Sequence, residues 1–145
     1  MKALALLFTL AFITSPLLAA EDAWITDVPK ALEQAKSEKK MVLLDFTGSD
    51  WCPPCKALHK NVLTSEEFSK FAKDNLVLVD LDFPKAKPQS DELKAANKEL
   101  SKKYGIKGFP TIIVLDADGK ELFRKVGYGG TPAAEYVADL AKLKK

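Results

Sequence analysis

Two cysteines, Cys52 and Cys55, are the side chains whose type and spacing most directly predict chemistry in this chain. They are the only cysteines among its 145 residues, and two prolines separate them in the segment Trp51-Cys52-Pro53-Pro54-Cys55-Lys56. Cysteines at this spacing, placed where a strand runs into a helix, are typical of a redox dithiol that exchanges disulfide bonds with a partner.

The elements around the cysteines are predicted from apolar patterning. The continuous apolar run Met41–Phe46 indicates a strand buried on both faces, and Leu58 and Val62 at helical spacing indicate a helix after the cysteines. Cys52 then lies at the helix start, where the helix dipole and the free N–H groups lower the pKa of a thiol from about 8.5 to about 3.5–7.5. Cys55 lies one turn further along, so we expect it to be less exposed and to act second.

The remaining chain predicts alternating helices and strands. We expect helices opened by Asp27 and Pro29, by a capping box at Thr64–Glu67, by Ser90 with Leu93, Ala96, Leu100 and Tyr104 on its apolar face, and by Thr131-Pro132. We expect further strands at Leu76–Asp82, Thr111–Leu115 and Glu121–Val126, with a hairpin turn at Asp116–Gly119 and a solvated loop at 83–89. This order predicts an α/β fold in which a mixed sheet of four to five strands has helices on both faces.

Residues 1–20 have the pattern of a secretory signal peptide. Lys2 precedes an apolar run from Ala3 to Ile13, and small residues lead to Ala20. We expect cleavage near Ala20 and a mature domain over residues 21–145, exported to an oxidising compartment such as the periplasm. The alternative is an uncleaved membrane anchor, for which the apolar run is too short to span a bilayer well.

Composition excludes several classes of protein. Charged residues make up 29% and the net charge is +2, so no basic footprint for nucleic acid is present. Two cysteines cannot form the disulfide framework of a stapled mini-protein. The length suits one domain with its own core.

Several segments, in this order, make the chain similar to the thioredoxin family. They cover about residues 41–130 and are Leu44-Asp45-Phe46, the Trp51–Lys56 segment, Tyr104-Gly105-Ile106-Lys107-Gly108-Phe109-Pro110-Thr111, Asp118-Gly119 and Lys125-Val126-Gly127. The resemblance implies that Cys52 is the attacking thiolate and Cys55 the resolving thiol. It also implies that Asp45 is a buried acid that carries a proton behind Cys55.

The same resemblance assigns a substrate-binding edge. Pro110 corresponds to the family's cis-proline, a bond geometry that costs X-Pro only about 0.5–1 kcal/mol. An extended substrate segment would lie along Phe109, Pro110 and Thr111, while Trp51 would shield the sulfurs.

Three features depart from a common thioredoxin. One extra residue lies between Asp45 and Cys52, in the link 48–50, which bears on the reach of the carboxylate to Cys55. The predicted strand Leu76–Asp82 has no lysine to pair with the buried acid, and the loop at 83–89 is longer. These lengths resemble exported thioredoxin-like domains and those of membrane electron-transfer proteins.

The expected activity is that of a thiol-disulfide oxidoreductase with no bound cofactor. Pro53 and Pro54 donate no backbone N–H to a Cys52 thiolate, which favours a reducing potential and a reductase of protein disulfides. We expect a monomer that acts on disulfide-containing proteins and is recharged by a membrane electron donor or another thiol-redox protein.

Other interpretations of these residues remain open. Cys52, Cys55 and His59 could handle copper or another metal on the same fold, since His59 is four residues from Cys55 and could face the same side of the helix. The cysteines could instead form a structural disulfide, His59 could be an ordinary surface histidine, and Asp45 could lie at an exposed strand end.

Overall fold

A five-stranded mixed sheet forms the centre of the fold in the computed structural model, which describes residues 23–144. In spatial order the strands are β1 (Trp24–Ile25), β3 (Leu76–Asp82), β2 (Met41–Thr47), β4 (Thr111–Leu115) and β5 (Glu121–Val126). β1, β3 and β2 are parallel, whereas β4 is antiparallel to both β2 and β5. The predicted signal peptide and the cleavage site at Ala20 lie outside the described residues.

Among the described residues, five α-helices cover the two faces of this sheet. They are α1 (Val28–Glu38), α2 (Pro53–Leu58), α3 (Glu66–Asn75), α4 (Asp91–Lys103) and α5 (Ala133–Ala141), and α2 continues into a π-helix over His59–Leu63. The predicted α/β architecture is therefore confirmed, as are a helix directly after the cysteines and a second one after Thr64. Within residues 23–144, no helix combines the length and the apolar character needed to cross a bilayer.

Three helix starts show the predicted capping chemistry, with one shift. The side chains of Asp27 and Ser90 accept hydrogen bonds from backbone N–H groups in the first turns of α1 and α4, at 2.9 and 3.2 Å. The cap of α3 is Ser65, not Thr64, because the Thr64 hydroxyl donates to carbonyl groups of the preceding π-helix. The cap is therefore displaced by one residue, and the expected capping box does not form, because the residue three positions after Ser65 is Phe68 and has no carboxylate.

The core consists of two apolar layers, one on each face of the sheet. On one face, α2, the π-helix, α3 and α5 pack on the alternating strand residues Leu43, Leu78, Ile112 and Val114. On the other face, α1 and α4 pack on the residues between them, including Val42, Leu44, Val79 and Ile113. Because both faces are covered, β2 is apolar along most of its length, as the sequence predicts.

Two details of the predicted fold were wrong. Ala96 does not face the core. Asn97 is buried instead, because its side-chain amide donates to the Asp82 carbonyl at 2.9 Å. The edge strand β1 was missed, since two residues are too short to show an alternating pattern.

Candidate functional site

Cys52 and Cys55 form a disulfide at the amino end of α2. Cys52 is the N-cap residue, and its carbonyl accepts the Lys56 N–H at 3.1 Å, while the two Cα atoms lie 5.2 Å apart. Pro53 and Pro54 occupy the first helical positions and offer no N–H groups there. The pair is therefore close enough to open and close without moving the backbone.

Both cysteines are buried in this disulfide form. Cys52 is 3% exposed and Cys55 2%, an order that agrees with the expectation that Cys55 is the less exposed of the two, and the expectation that Cys55 acts second stays a prediction.

The segment before β4 lies at the same end of the sheet as the disulfide. β2 and β4 are antiparallel, with Phe46 opposite Thr111, so the start of β4 meets the end of β2 that leads to Cys52. The Phe109–Pro110 bond is cis, as predicted, and both Pro110 and Thr111 are buried. The role of this segment in substrate binding stays a prediction.

Aromatic side chains form the exposed rim of the site. The Trp51 indole, 36% exposed, packs edge-on against Phe109, with ring centroids 5.9 Å apart, and donates from Nε1 to the Phe83 carbonyl at 2.8 Å. Phe83 itself packs against Phe109 at 5.1 Å. The indole also lies over Gly48, where a Cβ would come within 2.5 Å of the ring. The indole therefore needs a glycine at position 48.

The link before Trp51 is tied to the loop after β3. Both carboxylate oxygens of Asp50 accept backbone N–H groups of residues 85–87, at 2.6 to 3.1 Å. Hydrogen bonds from Lys85 and then Lys87 lower the pKa of Asp50 to about 2. This contact is absent from the sequence predictions, because nothing in the sequence pairs the two segments.

Asp45 is buried on the face of the sheet that carries α2. It follows Leu43 by two residues and so points to the same side, where α2 presents Cys55. The residue is 6% exposed, and its Oδ1 atom accepts no hydrogen bond within residues 23–144. Burial, together with the nearby charges of Asp80 and Asp82, raises the pKa of Asp45 to about 8. The predicted burial of this acid is confirmed, while its catalytic role stays a prediction.

A cavity of about 460 Å³ joins these groups. Its lining includes Asp45, Cys55 and His59 together with Asp80 and Asp82 of β3. The extra residue in the link 48–50 therefore does not separate the buried acid from the second cysteine. Asp80 and Asp82 were missed by the sequence analysis, although their spacing of two residues in one strand already places them on one face.

The two β3 carboxylates in this cavity, Asp82 and Asp80, differ in their surroundings. Asp82 accepts the N–H and the hydroxyl of Ser49 at 2.9 and 2.6 Å, and Lys87 Nζ donates to the same hydroxyl at 2.9 Å. Burial and then Asp82 raise the pKa of Asp80 to about 6, while Lys87 opposes the shift. β3 thus supplies two further carboxylates and no lysine.

The metal alternative finds no support in this arrangement. His59 is exposed, and within residues 23–144 no three His, Cys, Asp or Glu side chains are grouped so as to hold a metal ion. Cys52 and Cys55 are bonded to each other. The copper-binding interpretation of these three residues is therefore not favoured.

Comparison with known proteins identifies the family to which this chain is similar. The family model of the thioredoxin-like domain matches residues 28–144. A disulfide bond reductase of Chlamydia pneumoniae, DsbH, is 38% identical over 132 residues, which are 91% of this chain and 78% of that protein.

Two further matches extend this comparison. A solved structure of a DsbH oxidoreductase superposes with a TM-score of 0.75 and 32% identity, covering 93% of this chain and 94% of that one. The thiol:disulfide interchange protein DsbD of Cronobacter sakazakii is 35% identical over 113 residues, 77% of this chain but 18% of the longer protein. With its Cys52–Cys55 disulfide, the chain therefore belongs to the thioredoxin-like family and is a thiol-disulfide oxidoreductase.

Proposed function

We propose that this chain is a reductase of protein disulfides. The observation that carries the proposal is the Cys52–Cys55 pair, bonded at the amino end of α2 and sharing a cavity with a buried carboxyl group. This disulfide is the state that a reductase reaches after one turnover. The similarity to a named disulfide bond reductase supports the same direction.

In the reduced protein, the Cys52 thiolate attacks one sulfur of the substrate disulfide. A bond forms between that sulfur and Cys52 Sγ, and the other substrate sulfur leaves as a thiolate and takes a proton. Cys55 then loses its proton to the Asp45 carboxylate, and its sulfur attacks Cys52 Sγ. The second substrate thiol is released. The substrate has gained two electrons, and the Cys52–Cys55 pair has lost them and is now a disulfide.

The hydrogen-bond donors around Cys52 support a reducing direction of electron transfer. A helix start normally offers several N–H groups to a thiolate, but Pro53 and Pro54 remove two of them. The Cys52 thiolate is then only modestly stabilised, and the oxidised form is favoured. We expect a reduction potential nearer the value of about −270 mV for thioredoxin than the value of about −120 mV for a strong oxidant.

The substrate would lie along the edge beside the disulfide. Phe109, Pro110 and Thr111 border the site next to Trp51, and an extended chain could pair with this backbone. Disulfide-containing proteins are the proposed substrates, and a membrane electron donor or another thiol-redox protein is the proposed source of electrons. We propose a monomeric mature domain over residues 21–145 that acts after export.

Reduction of insulin disulfides, followed by turbidity with a thiol donor, tests this proposal. Wild-type protein should accelerate the reaction and Cys52→Ser should not. Cys55→Ser should accumulate a mixed disulfide through Cys52 that mass spectrometry detects. A wild-type rate no higher than that of Cys52→Ser, or an equilibrium potential near −120 mV, would overturn the proposal.

A further inference from the structure

The buried acid of this site has an acidic neighbour in the next strand. In the parallel register of β2 and β3, Asp45 is directly opposite Asp80, and both side chains line the cavity that also contains Cys55. Directly opposed residues of neighbouring strands lie close together on one face of a sheet. The two carboxyl groups are therefore neighbours.

Access to solvent differs between the two carboxyl groups. Asp45 is 6% exposed and its Oδ1 has no hydrogen-bond partner among the described residues, whereas Asp80 is only half-buried. An unpaired buried carboxylate is costly, so a proton on Asp45 offsets that cost. A proton that enters or leaves Asp45 needs a route to water, and Asp80 is more exposed than Asp45 and lies directly opposite it.

We propose that Asp80 exchanges protons between Asp45 and solvent during thiol exchange, so that the two carboxyl groups work as one proton-carrying pair. This inference rests on the proposed function, because it concerns the protonation of Cys55 in the same reaction. Asp80 is a positioning residue in this scheme, since it acts through Asp45 and does not touch the sulfurs.

The surrounding charges favour one proton on the pair. Asp82 of β3 adds a third negative charge, and Lys87, Lys56 and His59 also line the cavity. From α5, Tyr136 is buried, and its own pKa is raised by burial and then by Asp45. Two neighbouring carboxyl groups resist losing both protons, because the second charge would face the first.

The pKa values of the two carboxyl groups also differ in the direction that this proton exchange requires. The pKa of Asp45 is raised to about 8 and that of Asp80 to about 6. Near neutral pH, Asp45 therefore holds the proton while Asp80 is ionised and open to solvent. The difference is small enough for a proton to pass from one to the other.

The proton path balances in both directions. When the disulfide opens, Cys55 leaves as a thiolate, takes the proton of Asp45, and Asp45 regains one from solvent through Asp80. When Cys55 resolves a mixed disulfide, Asp45 first passes its proton to Asp80 and then accepts the proton of Cys55. The Cys55–Cys52 bond forms, and the bond from Cys52 to the substrate sulfur breaks.

A stopped-flow experiment with reduced protein and an aromatic disulfide reagent isolates this step. The first coloured thiolate is released when Cys52 attacks, and the second when Cys55 resolves the adduct. Asp80→Asn should slow the second phase about tenfold near pH 7 and leave the first unchanged. Added imidazole should restore the slow phase, because a small buffer replaces the lost proton carrier.

Asp82→Asn is the matched control. It removes the same charge from the same strand and cavity, and an asparagine can still accept the Ser49 N–H. This variant should show no imidazole dependence, and Asp80→Glu should keep a second phase close to the wild-type rate. Equal slowing in both asparagine variants, or no rescue by imidazole, would overturn the proposal.

A measurement on the wild-type protein covers the case in which Asp80→Asn does not fold. Carbon NMR of the carboxyl groups in the oxidised protein should show Asp45 and Asp80 each titrating in two steps with shared midpoints. A single independent step for Asp45 would contradict the pair. Failure of wild-type protein to reduce insulin would refute the reductase alone, since the two-phase reaction and the titration remain measurable.

Discussion

Replacing Asp45 by asparagine should stabilise the oxidised protein at high pH much more than at low pH. The carboxyl group is buried without a hydrogen-bond partner for Oδ1, and Asp80 and Asp82 place further negative charge beside it. Asparagine has almost the same size and no charge. The substitution therefore removes the ionisation and leaves the packing nearly unchanged.

The size of the effect follows from the raised pKa of Asp45. The folded protein holds this proton to about pH 8, whereas the unfolded chain releases it near 3.8. Wild-type stability consequently falls as pH rises through this window, and the asparagine variant escapes the fall. At about 1.4 kcal/mol for each pH unit, the upper limit is about 6 kcal/mol over the whole window and about 4 kcal/mol over the part that lies between pH 5 and pH 9. Water entering the cavity and relaxation around the charge lower it, and we expect at least about 2 kcal/mol.

Urea unfolding of the oxidised protein at pH 5 and pH 9 measures this difference, because disulfide-bonded cysteines do not titrate. The advantage of Asp45→Asn over wild type should be larger at pH 9 than at pH 5. Asp74→Asn, at an exposed position in α3, should show almost the same change at both pH values. An advantage of Asp45→Asn that does not grow with pH would refute the reasoning.

Three further predictions concern the surroundings of the site. Gly48→Ala should displace the Trp51 indole, since the new Cβ would overlap the ring, and tryptophan fluorescence should shift to the red. Asp50→Asn should accelerate hydrogen exchange at the amides of residues 85–87, and this difference from wild type should shrink as pH falls from about 4 towards 2, where the Asp50 carboxylate takes up its proton. Phe68→Ala should cost about 3–5 kcal/mol in urea unfolding, because the ring is fully buried between α3 and the sheet.

Each of these predictions has a matched control. Gly129→Ala adds a Cβ in open space and should leave the fluorescence unchanged. Asp118→Asn removes an exposed carboxylate elsewhere and should leave exchange at residues 85–87 as it is. Phe71→Ala, at a half-buried ring in the same helix, should cost less than Phe68→Ala. Indistinguishable results for a variant and its control would contradict the corresponding argument.

The sequence predicted the fold well where one local pattern decides an element. Asp27 and Ser90 cap the helices that follow them, and the apolar run of β2 is buried on both faces, because these outcomes depend on neighbouring residues. β1 escaped prediction because two residues carry no period. Ala96 was placed inward by helical spacing, but a hydrogen bond to the end of β3 buries Asn97 instead.

The site was predictable in part for the same reason. The cysteine spacing and the position of Asp45 could be interpreted from neighbouring residues alone. The pairing of Asp45 with Asp80 depends on the register between β2 and β3, which a turn of helix, a π-helix and a further helix separate in the sequence. No local pattern specifies that register. The contacts of Asp50 with residues 85–87 depend on the same long-range arrangement.

The hydrogen bonds between Asp50 and the amides of residues 85–87 couple two loops, so that a change in the length of one loop requires a change in the other. The sequence predicts that both segments are longer than in a common thioredoxin, and the carboxylate of one is the acceptor for the amides of the other. Grafting either loop alone onto a shorter scaffold would leave the backbone N–H groups without an acceptor, or the Asp50 carboxylate without donors. Lengthening of one loop and lengthening of the other should therefore be inherited together, and a chimera should exchange them as a pair.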